Sequence, residues 1–215
     1  MNAVEAEANA PRLQGSVTAT LAVALLEATR AHDRPEEMLE AEDVTTSLPR
    51  RLGLSGVIEA QIQRYETAVR ERRRLPLDEF VSLLKLVLRR PDAEPILREA
   101  GERVAARTFA DAPGFYVSTL RILPRALSFV FVARSARKLL RNITGSTHVE
   151  VRGKPLVARL HQPVTAPLEP PGVACALYGS AFGELASLYL DRKARAVHAP
   201  CVINGGSICQ WTVDI

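Results

Sequence analysis

The stretch that decides the fold is residues 173–213, VACALYGSAFGELASLYLDRKARAVHAPCVINGGSICQWTV. Its first part, Val173 to Leu190, has helical character. Ala176, Gly179 and Gly183 fall along one side, where a neighbouring backbone can come close. The pattern then changes. Arg195 to Ile203 and Ser207 to Val213 flank Asn204-Gly205-Gly206, a strong turn signal, and read as two strands of a hairpin. Upstream, Thr147 to Val151 and Pro155 to His161 alternate around Arg152-Gly153-Lys154 and predict a second hairpin. Pro163 to Pro171 holds four prolines and reads as a loop.

The rest of the chain is helical in pattern. Ser16 is placed to cap a helix reaching about Ala31, with Val17, Leu21, Leu25 and Leu26 inward. An acidic stretch, Glu36 to Asp43, and a turn-rich segment, Thr45 to Pro49, follow. Ile58, Ile62, Tyr65 and Val69 form one stripe on a helix ending in the basic run Arg70 to Arg74, which suits the negative end of the dipole. Leu75-Pro76-Leu77-Asp78 restarts a helix carrying Phe80, Leu84 and Leu88. Pro91 ends it and Asp92 can cap the next, with Ile96, Leu97, Ala100 and Val104 inward. A long apolar helix is expected from Pro113 towards Leu140, kinked or divided at Pro124. Antiparallel pairs with segregated helices predict an α+β fold, a helical layer against antiparallel hairpins. The expected organisation is a loose tail over 1–14, a helical extension over 15–50 and the main domain over 51–215.

Composition narrows the function classes. The chain has 215 residues, 47% hydrophobic and 24% charged, as in an ordinary globular protein. Its net charge of +4 is too small a bias to indicate nucleic acid, and aromatics at 5% are too few for a base-stacking platform. The best apolar runs, Phe80 to Leu88 (broken by Lys85) and Leu127 to Ala133, are too short to span a membrane. Met1 to Arg12 lacks the form of a secretory signal, so a cytoplasmic location is expected. Catalytic signatures are missing. Gly179-Ser180-Ala181-Phe182-Gly183 has its serine one place early for a nucleophile elbow, and there is no P-loop, dinucleotide fingerprint or His-Glu-x-x-His. His148 and His161 sit on the hairpin of Thr147 to His161 as structural histidines, with catalysis the lesser alternative, and His32 ends a helix, where it serves the dipole. Glu184 reads as part of a solvated face.

The chemistry concentrates near the C-terminus. Cys175, His198, Cys201 and Cys209 are spaced Cys-x22-His-x2-Cys-x7-Cys and include all three cysteines of the chain. Four such ligands suit tetrahedral zinc with no slot left for water, hence a structural site. The competing reading is three buried thiols and a surface histidine, and paired Cys-x-x-Cys knuckles are missing. Two basic clusters stand out: Arg70 with Arg72 to Arg74, and Arg121, Arg125, Arg134, Arg137, Lys138 and Arg141. Each can bind phosphates or anionic headgroups, or form a solvated helix face, or be neutralised by Glu36 to Asp43. Phe115, Tyr116, Leu120, Leu127, Phe129 and Phe131 exceed one narrow stripe and suit core packing, an apolar pocket or a dimer face, with Trp211 placed to close a pocket or cap the core.

Gly172-Val173-Ala174-Cys175-Ala176-Leu177-Tyr178-Gly179 with Gly183, followed by His198-Ala199-Pro200-Cys201 and Gly205-Gly206-Ser207-Ile208-Cys209-Gln210-Trp211, resembles the 4-vinyl-reductase domain family. That family shares its fold with the small subunits of the TRAPP vesicle-tethering complex. The resemblance covers about Leu75 to Ile215. In the sensory domains of phenol-responsive activators of this family the set is Cys-x22-Glu-x2-Cys-x7-Cys and binds zinc. Here His198 stands where the glutamate would be. The resemblance implies a structural zinc on Cys175, His198, Cys201 and Cys209. It further implies a non-enzymatic module that binds an apolar or aromatic small molecule and signals to a protein partner. A dimeric interaction or scaffold protein, and an accessory role in bacteriochlorophyll vinyl reduction, are the alternatives it leaves open.

Overall fold

The computed structural model describes residues 14–33, 44–113, 125–145, 148–161, 163–165, 168–190, 193–202, 206 and 208–214, and their side chains except at 44–55, 125–127 and 214. In chain order the elements are β1 (Ser16–Thr18), α1 (Ala19–His32), α2 (Val44–Arg70), β2 (Arg74–Pro76), α3 (Leu77–Leu88) and α4 (Ala93–Ala110). They continue with α5 (Arg125–Thr144), β3 (Val149–Gly153), β4 (Leu156–His161), α6 (Cys175–Leu190), β5 (Arg195–His198) and β6 (Ile208–Asp214). This is a mixed helix and antiparallel-sheet architecture, the α+β class.

Both expected hairpin pairings form. They join into one antiparallel sheet ordered β3-β4-β6-β5, with α6 as the connection between β4 and β5. Registration puts Val151 opposite Ala158, Leu160 opposite Cys209, Ala158 opposite Trp211 and Ala196 opposite Val213. These residues share one face because strand side chains alternate. That face is the core side: Val149, Val151, Ala158, Leu160, Cys209, Trp211 and Val213 are buried, while Glu150, Arg152 and His161 on the other face are exposed.

Helix α6 is the hub, packed between α4 and the sheet. On the α4 side the approach depends on Gly101. A Cβ there would lie 2.0 Å from Ser180 Oγ and 2.4 Å from the Leu177 carbonyl oxygen. On the sheet side a Cβ at Gly183 would meet the Ala196 nitrogen at 3.2 Å. The small-residue side read from the sequence is therefore a real contact surface. Helix α1, buried along Leu21, Ala22, Leu25 and Ala28, fills the far side of α4.

Several expectations shift. Ser16 is no helix cap: Ser16–Thr18 pairs antiparallel with Arg74–Pro76, and the helix starts at Ala19. The reason is tertiary, since Arg74 donates to both Ser16 Oγ (2.8 Å) and the Ser16 carbonyl (2.6 Å). Thr45 to Pro49 lies inside α2, not in a turn, so α2 runs through the expected boundary at residue 50. The basic end of α2 closes in a Schellman arrangement, with Arg73 N–H on the Ala68 carbonyl, Arg72 N–H on that of Val69, and Arg72 in the left-handed region. Asp92 makes no side-chain cap; its carboxylate is taken by Arg90. Helix α5 covers Arg125–Thr144, and 114–124, with Phe115, Tyr116, Leu120 and the expected break at Pro124, lie outside the described residues. The 1–14 tail (apart from Gln14), the acidic stretch 36–43 and the Asn204-Gly205 turn lie outside them too. No helix among the described residues is long and apolar enough to cross a membrane.

Candidate metal centre

Each of the four predicted ligands comes from an element with its own reason to be there. Cys175 opens α6, where the Gly172 carbonyl accepts its N–H at 3.0 Å. His198 ends β5, directly opposite Trp211 on β6. After His198 the ladder continues loosely: Ala199 N–H donates to the Gln210 carbonyl (3.0 Å) and Gln210 N–H to that of Pro200 (2.9 Å). This tethers the link that carries Cys201. Gly206 N–H returns to the Cys201 carbonyl at 3.1 Å, and a Cβ on Gly206 would lie 2.8 Å from that oxygen. Glycine at this position is thus a requirement of the close turn. Cys209 sits on the core face of β6.

The four candidate ligand atoms lie within 4.8 Å of one another, and all three cysteines are buried and outside any disulfide. Cys201 Sγ and Cys209 Sγ are 3.5 Å apart. A disulfide needs about 2.05 Å, whereas two sulfurs about 2.3 Å from one tetrahedral zinc are separated by about 3.8 Å. His198 Nε2 is buried and has no hydrogen-bond partner. An unsatisfied buried nitrogen is costly unless something fills its lone pair or takes its proton. The arrangement therefore can hold a metal ion.

Electrostatics within the cluster are uneven. The proton shared with Cys175 favours the thiolate of Cys209, which is pushed well below an ordinary thiol despite its burial, with further help from the His198 imidazole and the Val202 backbone. Cys175 moves up, because it holds that proton beside Cys209 and is also desolvated. A thiolate, not a thiol, is what binds a metal.

The surroundings hold the histidine in place. Its ring stacks on Trp211 at 4.6 Å with an interplanar angle of 7°, and Tyr178 meets the far part of the indole edge-on at 6.2 Å. Gly179 lies against the Nε1–Cδ1 edge of the indole, where a Cβ would be 2.8 Å from Trp211 Nε1. Trp211 thus serves the site, a role the sequence reading divided between closing a pocket and capping the core. Beside it opens a cleft of about 680 Å³, lined by Glu94, Arg98, Glu102, Glu184, Arg195 and the rim of Cys175 and His198. Glu184 is half-buried in this cleft and not on a freely solvated face. Burial raises the Glu102 carboxyl pKa, helped by the neighbouring Glu184 and Glu99 charges.

The other candidates scatter. His161 is half-exposed near Glu150 at 3.8 Å, His148 is exposed, and His32 pairs with Glu99 at 3.0 Å. Phe129 packs on the core while Val130 and Phe131 face outward. Compared with family models, curated proteins and solved structures, the chain matches none.

Proposed function

We propose that Cys175, His198, Cys201 and Cys209 hold a structural zinc ion, and that the domain so closed is a non-enzymatic binding module of the 4-vinyl-reductase kind. It takes a small apolar or aromatic molecule and passes the signal to a protein partner, as a cytoplasmic homodimer. The observation that carries the metal is the convergence of three sulfurs and an otherwise unpartnered imidazole nitrogen. Soft thiolates with one imidazole favour zinc over hard cations. Four protein ligands leave no position for a reacting water, so the ion stabilises structure and does no chemistry. It would tie the start of α6 to β5 and β6. The small-molecule element is supported by the likeness over Gly172 to Trp211.

A second reading is favoured by the packing of the interior. Among the described residues Phe80, Phe182, Trp211, Leu84, Ile96 and Leu139 are fully buried, and the cleft beside the four residues has a charged lining. Such packing suits an interaction or scaffold protein.

Elemental analysis of the purified full chain, with native mass spectrometry, tests both. One zinc per chain is expected, lost in Cys209→Ser and reduced in His198→Ala. A folded chain without zinc overturns the centre. A retained organic molecule supports the sensor; a ligand-free dimer supports the scaffold. A co-purifying pigment absorbance would turn the reading to tetrapyrrole chemistry.

A further inference from the structure

The groove between α5 and β3 has no part in the metal centre. It encloses about 660 Å³ and is lined by Arg134, Arg137, Lys138 and Arg141, with Asn142 and Val151 among its other walls. The four cations fall at i, i+3, i+4 and i+7, one face of one helix. Like charges at this spacing repel one another unless a counter-charge is supplied.

Several cations elsewhere have such counter-charges within the chain. Arg30 pairs with Glu59, Arg64 with Glu79, Arg90 with Asp33 and Asp92, Arg98 with Glu94, and Arg103 and Arg107 with Glu27. None of the four groove cations meets a carboxylate among the described residues. From residue 112 to residue 149 the sequence contains six Lys or Arg and no Asp or Glu. The helix dipole accounts for one of the four, since only Arg141 lies in the last turn of α5. Part of the site is already fixed in position: Arg137 Nη2 donates to the Val151 carbonyl at 2.7 Å. Arg74 Nη1 holds Asn142 Oδ1 at 3.1 Å, bringing a fourth guanidinium, and a fifth cation, to the groove's edge.

We propose that this groove binds a phosphate-bearing anion. Guanidinium forks match phosphate oxygens in pairs, and Lys138 adds a point charge. From Arg134 to Arg141 the helix advances only about 10 Å, room for one or two phosphate groups and not for a duplex backbone. No cluster of exposed aromatics to stack bases is found among the described residues.

The test uses the full chain and two probes, inorganic pyrophosphate by isothermal titration and vesicles of phosphatidylcholine with or without phosphatidylglycerol by co-sedimentation. The variant is Arg134→Gln/Lys138→Gln, which leaves the Arg137 contact in place, with circular dichroism to verify its fold. Saturable pyrophosphate binding, weakened about tenfold or more in the variant and by added salt, is expected for a soluble phosphate ligand. Sedimentation with phosphatidylglycerol vesicles alone, lost in the variant, assigns the phosphate to a lipid headgroup. Binding unchanged in the variant, no binding of either probe, or binding of a DNA duplex only would overturn the proposal.

Discussion

At the scale of single residues, Trp211 links the packing of the core to the candidate metal centre. Its indole carries the stacked His198 ring and meets Gly179 of α6 at Nε1 and Cδ1. A ligand held by a packed neighbour is pre-oriented, and disturbing such support typically costs about tenfold or more in metal affinity. Gly179→Ala would place a methyl group 2.8 Å from Nε1 and 2.9 Å from Cδ1, so the ring has to move. Expected is a zinc affinity about tenfold weaker, measured by competition with a chromophoric chelator. Unchanged affinity would show that Trp211 does not position the imidazole. The gathering of Cys175, His198, Cys201 and Cys209 is legible in the sequence, because the only three cysteines of the chain and a histidine fall within its last 41 residues. Trp211 is not. Its pairing with His198 is a matter of cross-strand register, and register depends on which face of the hairpin meets α6.

Among the elements, legibility follows length and periodicity. Helices α3, α4 and α6 have long apolar stripes and are where the pattern puts them. The three-residue strands β1 and β2 have no period to read and exist because Arg74 reaches across to Ser16. Arg90 does similar work between helices. Following α3, it binds Asp92 before α4 through Nε and Nη2, at 2.8 Å each, and Asp33 after α1 through Nη1 at 2.6 Å. These hydrogen bonds hold the Asp92 carboxyl below its ordinary range, against the opposing effect of burial. A carboxylate depressed in the folded state stabilises fully above its unfolded pKa of about 3.9, and loses that contribution as pH falls through the folded value. The groups are about one-third exposed, so the network contributes about 1 kcal/mol. Arg90→Gln is therefore expected to lower urea stability by about that amount near neutral pH, with the gap closing as pH falls below the unfolded carboxylate value and through the lower folded one. A gap of constant size at all pH values would mean that Arg90 acts through packing and not through the Asp92 charge.

For the whole molecule, the question is how much of the fold rests on the metal. Small zinc domains unfold when stripped because they have almost no other core. This chain is different: α1, α3, α4 and α6 bury a continuous set including Leu21, Leu25, Phe80, Leu84, Ile96, Leu97 and Phe182, most of it remote in sequence from the ligands. Chelation should then loosen the β5–β6 end and the start of α6 while the helices persist. The single tryptophan of the chain lies against a ligand, which makes it a local reporter. With zinc present at about a thousandfold its Kd, removal costs about 4 kcal/mol, on the order of 10 °C in Tm for a chain of this size. Expected on chelation are a red-shifted Trp211 emission, a Tm drop of that order and a far-UV circular dichroism spectrum little changed at room temperature, all restored by added zinc. Loss of the whole helical signal would make the ion the organiser of the fold. An indifferent tryptophan would place whatever metal the protein carries away from Cys175, His198, Cys201 and Cys209.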